Sequence, residues 1–151
     1  MDVTPDFAEF FALLNTHKVR YMVVGAYAMA LHDQPRATSD VDVFVEASAA
    51  NAKRVMAVLT DFGFGKVGLE SADFEMPGRT VQLGYPPNRI DLITSIDGVT
   101  FTEASRRARR VPYGRARIRV IGLRDLIRNK ETAGREKDLV DAKNLRRNLR
   151  K

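Results

Sequence analysis

Two aspartates alternate with three valines between residues 40 and 45, and this run constrains the fold more than any other part of the chain. Asp40 and Asp42 fall on one side of the alternation, and the valines fall on the other. An alternation of period two predicts a β-strand whose valines enter the core while its two carboxylates project together from the opposite face. The chain must therefore form a sheet that buries only one face of this strand at its acidic end.

Apolar patterns elsewhere predict further helices and strands around this strand. Thr4 and Ser48 are each expected to cap a helix. We expect one α/β domain over residues 1–151, with a mixed β-sheet flanked by helices in a core of about 1–120 and a helical C-terminal segment of about 121–151. The patterns predict helices after Thr4 and Ser48 and over 26–31, 100–108, 123–133 and 135–149, and strands over 21–24, 80–85, 89–94 and 111–120, the last as a hairpin.

Charge is distributed unevenly along the chain. Residues 106–151 contain 17 Lys and Arg but 5 Asp and Glu, whereas the whole chain has a net charge of only +6. A basic third joined to an acidic body is typical of proteins with an anionic partner, such as a triphosphate or a nucleic acid. The alternative is a solvated basic surface that only aids solubility.

Several classes of protein are disfavoured by composition. The chain has no cysteine, which excludes a disulfide framework and a cysteine-based zinc site. Its first residues are acidic rather than basic, and no apolar run approaches the roughly 18 residues that a membrane span requires. We expect a cytoplasmic protein that does not bind a membrane.

The paired acids Asp40 and Asp42 suggest a metal site. Neighbouring carboxylates repel each other unless a cation neutralises them, and Mg²⁺ is commonly held by one or two carboxylates plus substrate phosphates. Asp91 lies in a later predicted strand and completes the cluster if that strand pairs beside the first. Three acids would suit a site with two metal ions. The alternative is that Asp40 and Asp42 are the polar face of a half-exposed strand.

Residues that could contact phosphate flank the first strand and its helix. Gly25 joins a predicted strand to a predicted helix, where its backbone can approach a ligand and the helix N-terminus offers free N–H groups. Arg36 and Thr38 precede Asp40 and could reach the same phosphates by charge and by hydroxyl. The alternative for Gly25 is a plain turn.

Taken in order, these elements resemble a known superfamily. The set is Gly25-Ala26, then Arg36-x-Thr38-x-Asp40-Val41-Asp42-Val43, then Asp91 on a later strand. It is similar to the pattern of the polymerase-beta-type nucleotidyltransferases. The runs 24–42 and 126–141 are similar to small bacterial nucleotidyltransferases, a group that includes toxins of the abortive-infection type. One departure is Ala26, where the family more often has Gly or Ser.

The resemblance implies a Mg²⁺-dependent transfer of a nucleoside monophosphate from a nucleoside triphosphate (NTP) to a hydroxyl, with release of pyrophosphate. It implies that Asp40 and Asp42 hold two Mg²⁺ ions, and that Asp91 binds the second ion and helps to activate the acceptor hydroxyl. The residues that would contact the nucleotide are Gly25, Ala26, Arg36, Thr38, Lys130, Arg135 and Lys137. For the last three, the alternative is an exposed helix face that is solvated or internally paired.

The acceptor and the partners remain open at this stage. An RNA 3′ end, a protein hydroxyl or a small molecule would each serve as acceptor, and the basic C-terminal third favours RNA. A toxin role with an antitoxin partner rests on the resemblance. A function of another class is a non-catalytic module that keeps the fold and binds nucleic acid or a protein partner.

Overall fold

A computed structural model describes residues 3–33, 40–65, 67–85 and 88–149. The helices in these ranges are α1 (Pro5–Thr16), α2 (Gly25–His32), α3 (Ala49–Asp61), a short 3₁₀ helix (Ser71–Phe74), α4 (Phe101–Arg107), α5 (Leu123–Ala133) and α6 (Glu136–Leu149). The strands are β1 (Tyr21–Val24), β2 (Asp40–Val45), β3 (Thr80–Leu83), β4 (Arg89–Ile93), β5 (Arg109–Tyr113) and β6 (Ala116–Val120).

The strands form a mixed sheet in the order β3-β4-β2-β1-β6-β5. β2 is parallel to β4, and β1 is parallel to β6. The other neighbouring pairs are antiparallel. The start of β2 therefore lies beside the end of β1 and the start of β4. The predicted mixed α/β fold with a helical C-terminal segment is confirmed.

One face of the sheet is covered by an aromatic cluster from α1. Phe7, Phe10, Phe11 and Leu14 recur at helical spacing and are all buried. The Phe11 ring meets the rings of Tyr21 and Tyr113, whose centroids lie 6.5 and 5.2 Å away. Full burial of each such side chain contributes roughly 1.5–3 kcal/mol. This packing holds strands β1, β6 and β5 against α1 and so supports the polar residues on the other face of the sheet.

The opposite face is buried only in part. Phe44 of β2 lies on the same face as Asp42 and packs edge-on against Phe101 of α4, with ring centroids 5.2 Å apart. This contact covers the C-terminal half of β2 and leaves its acidic start accessible. Within the described residues, no helix combines the length and apolar character needed to cross a bilayer.

Two local predictions need correction. The Thr4 side chain does not cap α1, although Ser48 caps α3 as predicted by accepting a hydrogen bond from the Asn51 amide. The Thr4 amide instead donates to the Tyr113 hydroxyl at 2.9 Å, which ties the start of the helix to β5. β5 begins at Arg109, two residues earlier than predicted, because pairing with β6 extends the strand through two arginines that show no apolar alternation.

Candidate functional site

The three predicted acids come together where β2 and β4 begin. In the parallel pairing of these strands, Asp42 lies opposite Asp91, and Asp40 lies opposite Arg89. Residues opposite each other share a face, as do residues two apart on one strand. All four side chains therefore project from the same face. The condition set by the sequence analysis, that β4 pairs beside β2, is met, and it places Asp91 next to Asp42.

Arg89 occupies the centre of this cluster and is the residue that the sequence interpretation missed. Its Nε donates to Asp91 Oδ1 at 2.9 Å, and its Nη2 donates to Asp91 Oδ2 at 3.1 Å. The same Nη2 lies 3.1 Å from Asp40 Oδ2. The signal was present, since Arg89 precedes Asp91 by two residues and so shares its face of the strand.

Asp42 experiences more negative than positive charge. Partial burial of its carboxyl, followed by the charge of Asp91, a hydrogen bond to Asp91 and the charge of Asp40, raises the pKa of Asp42 to about 6. Arg89 acts in the opposite direction, lowering this pKa, but does not cancel the increase. The pair Asp42–Asp91 is therefore a site where a proton or another cation is favoured.

Gly25 is required by the position of the Asp42 carboxylate. β1 and β2 place Val24 opposite Asp42, and α2 begins at the next residue. Gly25 has φ +69°, in the left-handed region. A Cβ built there would overlap Asp42 Oδ2 and lie 3.1 Å from Cγ. Gly25 therefore approaches the Asp42 carboxylate closely, whereas the approach of its backbone to a ligand stays a prediction.

The start of α2 leaves backbone N–H groups available next to this carboxylate. Its N-cap residue is Val24, which makes no side-chain capping bond. The first N–H groups of a helix have no partner inside the helix and favour anionic groups. The amides at Gly25 and Ala26 belong to this first turn, so Ala26 does not need a hydroxyl to offer a donor.

The donor set fits Mg²⁺, although the carboxylates are not arranged as a complete metal cage. Across residues 3–33, 40–65, 67–85 and 88–149, no three Asp, Glu, His or Cys side chains are placed so that they could hold a metal ion together. Arg89 holds Asp40 and Asp91 instead. Mg²⁺ normally needs only one or two carboxylates when substrate phosphates supply the other ligands. The adjacent oxygens of Asp42 and Asp91 meet that requirement.

Lys130 of α5 pairs with acids of α6, and Arg135 pairs with Asp138 three residues after it. Lys130 Nζ lies 3.2 Å from Asp141 Oδ2 and 3.6 Å from Asp138 Oδ1. Arg135 Nε donates to Asp138 Oδ2 at 2.7 Å, and this hydrogen bond lowers the pKa of Asp138. Lys137 is exposed on α6. Contact of these basic residues with a nucleotide stays a prediction, and Arg36 and Thr38 lie outside the described residues.

The charge on Asp42 leads to a prediction about pH. The folded state binds the Asp42 proton more tightly than the unfolded chain does, because its pKa is about 6 instead of 3.8. The resulting stabilisation is complete below about pH 4 and is lost as the pH rises through about 6. The difference corresponds to about 3 kcal/mol, reduced to roughly 1–2 kcal/mol by solvent exposure.

We therefore expect Asp42→Asn to stabilise the metal-free protein at pH 8 and to have little effect at pH 4. Urea unfolding at a series of pH values in the presence of a chelator measures this difference. Asp61→Asn provides the control, because Asp61 is an exposed acid paired with His17 and not with another carboxylate. Parallel profiles for the wild type and Asp42→Asn between pH 4 and 8 would contradict the assignment.

Comparison with known proteins identifies a shared fold. Neither a protein-family model nor a curated protein sequence matches the chain. Among solved structures, the chain is similar to that of a "putative nucleotidyltransferase" (TM1012) from Thermotoga maritima. The TM-score is 0.60 at 17% sequence identity, and the match covers 99% of this chain and 96% of the other. The protein thus shares the fold of that structure over almost its full length.

Proposed function

We propose that this protein is a nucleotidyltransferase of the polymerase-beta type, which transfers a nucleoside monophosphate from an NTP to an acceptor hydroxyl. One observation carries the proposal: the Asp42 carboxylate lies between Asp91 and the left-handed Gly25 at the start of α2. A carboxylate pair and the open N-terminus of a helix are complementary to the two parts of a metal–triphosphate complex. The shared fold supports this proposal.

Each group at the site has a distinct role in the proposed reaction. Asp40, Asp42 and Asp91 would hold two Mg²⁺ ions, which when bound supply the positive charge that neutralises the triphosphate. The amides of Gly25 and Ala26 face its phosphates. The acceptor oxygen forms a bond to the α-phosphorus as the bond to pyrophosphate breaks, and Asp91 accepts the proton of the hydroxyl. Placement and charge neutralisation provide the rate enhancement.

Arg89 serves as an internal counter-charge for the acids. Its guanidinium fork neutralises Asp91 and Asp40. Binding of a cation by these carboxylates therefore requires Arg89 to release at least one of them. A guanidinium freed beside the site is suited to hold a phosphate, since its planar fork matches phosphate oxygens.

An open cleft beside Arg89 provides a place for the nucleobase. Its volume is about 680 Å³, and its lining is mainly apolar apart from Gln82 and Arg89. Tyr85 on its rim is 87% exposed. Apolar clefts with a few polar groups are the usual form of small-ligand sites, and an exposed aromatic ring is suited to stack on a base.

The remaining residues predicted to contact the nucleotide complete the proposal. Arg36 and Thr38 are proposed to bind phosphate from the segment before β2. Lys130, Arg135 and Lys137 are proposed to steady the triphosphate or the acceptor, which requires Lys130 to exchange a carboxylate partner for phosphate. A toxin role with a protein antitoxin is also proposed, and it rests on the sequence resemblance.

A non-catalytic module remains the competing function, and Arg89 is the observation in its favour. An arginine that already neutralises two of the three acids can stabilise the fold without any metal. In that case the carboxylates would be dispensable for the function. Mg²⁺-dependent activity that requires Asp42 separates the two proposals.

Transfer of labelled nucleotide is the test of the proposed activity. Wild-type protein is incubated with each NTP labelled at the α-phosphate, in the presence and absence of Mg²⁺, with total RNA, with cell protein or with small hydroxyl compounds. We expect Mg²⁺-dependent labelling of one acceptor class and release of pyrophosphate. Asp40→Asn/Asp42→Asn should abolish both, whereas Asp61→Asn should not. Labelling that survives in the double variant would refute the proposed mechanism.

A further inference from the structure

A second charged cluster lies at the opposite end of the sheet from the acids. A cleft of about 440 Å³ opens beside the start of β1, α4 and the β5–β6 hairpin. None of its described lining residues is acidic, and five are basic: Lys18, Arg20, Arg110, Arg117 and Arg119.

Strand register explains why three of these arginines converge. In the antiparallel β5–β6 pair, Arg110 lies opposite Arg119, and Pro112 lies opposite Arg117. Arg117 and Arg119 are two residues apart and so share a face with Arg110. Like charges directly opposite each other on a sheet are destabilising. The hairpin thus maintains a concentration of positive charge that its own packing does not require.

Two members of the cluster are held in place, and three are left for a ligand. Arg20 pairs with Glu46 at 2.7 Å, and Arg119 donates to the Ser105 carbonyl at 2.9 Å. Among the described residues, no carboxylate lies within salt-bridge distance of Lys18, Arg110 or Arg117. Arg110 and Arg117 are both exposed. The cleft therefore combines fixed cations with cations available to bind an anion.

The arrangement fits a polyanion better than one phosphate. Residues two apart on a strand are separated by about 7 Å, and paired strands by about 5 Å, so the cations form a patch instead of converging on a point. The turn of the same hairpin adds the exposed Arg115. The aromatic residues at the cleft, Tyr21 and Phe101, are buried and present no stacking surface. Contacts to a phosphate backbone, without base recognition, match this surface.

The basic cleft and the acids share one face of the sheet. Val24 and Met22 lie opposite Asp42 and Phe44, so Arg20, two residues before Met22, belongs to the same face. Val24 and Arg20 are four residues apart on β1, or roughly 13 Å. Met22 and Val24 are themselves buried, so a strand of nucleic acid that runs from the cleft to the carboxylates passes over the residues that cover them, and not along the sheet itself.

From these observations we propose that the cleft binds the phosphodiester backbone of a nucleic acid and seats an acceptor RNA. The role as acceptor site rests on the proposed function, whereas binding of the backbone does not. Arg110 and Arg117 provide the principal phosphate contacts, and Lys18, Arg20 and Arg119 supply further positive charge.

Fluorescence anisotropy with a labelled 20-nucleotide single-stranded RNA tests the proposal with the full chain. We expect Arg110→Glu/Arg117→Glu to weaken binding at least tenfold. Two lost phosphate contacts should also reduce the slope of log K against log salt by about 1.4, at roughly 0.7 for each contact with a single strand. Lys53→Glu/Arg54→Glu makes the same charge change on exposed residues of α3 and should bind RNA within about threefold of the wild type.

The proposal that the cleft binds RNA would be overturned if the wild type did not bind RNA at low salt, or if the two double variants lost equal affinity for RNA. It would also be overturned if the wild type were a dimer that dissociates only in Arg110→Glu/Arg117→Glu. That result would mean that a second copy of the chain occupies the surface. Failure of the proposed function is distinguishable. Wild-type RNA binding that depends on Arg110 and Arg117, without transfer of nucleotide to any acceptor, would refute the activity and retain the cleft.

Discussion

Gly25→Ala is expected to cost roughly 2–5 kcal/mol of folding stability and to remove Mg²⁺-dependent NTP binding. The left-handed backbone at φ +69° costs an alanine about 1–2 kcal/mol. Overlap of the new Cβ with the Asp42 carboxylate forces a shift that adds roughly 1–3 kcal/mol. Because the displaced carboxylate is the proposed metal ligand, the same substitution should impair stability and binding together. Urea unfolding and NTP calorimetry measure the two effects.

Gly78→Ala separates backbone strain from the clash. Gly78 also has a left-handed backbone, with φ +84°, but a Cβ there would meet nothing within 4 Å. This control should lose about 1 kcal/mol and retain binding. In an Asp42→Ala background, Gly25→Ala should cost less than in the wild type, because the overlapping oxygen is gone. The close packing of Gly25 against Asp42 would be contradicted if Gly25→Ala and Gly78→Ala lowered the free energy of unfolding equally. It would also be contradicted if the losses from Gly25→Ala and Asp42→Ala simply added in the double variant.

Lys130→Met is expected to produce the other large effect, a loss of roughly 3 kcal/mol in folding stability. The Lys130 side chain is only 12% exposed, and its ammonium is placed between Asp138 and Asp141, which are both buried. Removing one partner of a buried ion pair leaves the other charge buried without that partner, which lowers folding stability by about 3–5 kcal/mol. Arg135 still neutralises Asp138, so we expect the lower end of this range. Thermal and urea unfolding at pH 7 measure it.

Arg146→Met is the matched control at the same helix pair. Arg146 joins α6 to Glu131 of α5, but both side chains are about half exposed, and solvent-exposed pairs contribute little to stability. A second substitution provides a rescue: Asp141→Asn should recover part of the stability lost in Lys130→Met, because it removes a buried negative charge that Lys130 no longer neutralises. A Lys130→Met variant as stable as Arg146→Met would show that the buried pair does not support the fold.

Local patterns in the sequence predicted much of the fold because they depend on near neighbours in the chain. The alternation in β2 and the apolar spacing of α1 each follow from one periodicity and were confirmed. The convergence of Asp91 with Asp42 was conditional on pairing of β4 with β2, and that pairing is present.

Features that depend on the register between distant segments could not be predicted in the same way. The contact of Arg89 with Asp40 requires the exact alignment of β2 and β4, which no local pattern encodes. The overlap between a Gly25 side chain and Asp42 depends on the twist and spacing of β1 and β2. Lys130 was assigned to the nucleotide by resemblance, and its pairing with Asp138 and Asp141 depends on how α6 folds back on α5.

The central claim is that Asp42 and its neighbours bind an NTP together with Mg²⁺, and isothermal titration calorimetry tests it most directly. Each NTP is titrated into the wild type, Asp42→Asn and Asp61→Asn, with Mg²⁺ and with a chelator, after circular dichroism has shown that all three are folded. We predict binding of at least one NTP that requires Mg²⁺, weakens at least tenfold in Asp42→Asn and is unchanged in Asp61→Asn. Binding that is independent of Mg²⁺, equal in Asp42→Asn, or absent from the folded wild type would contradict the account.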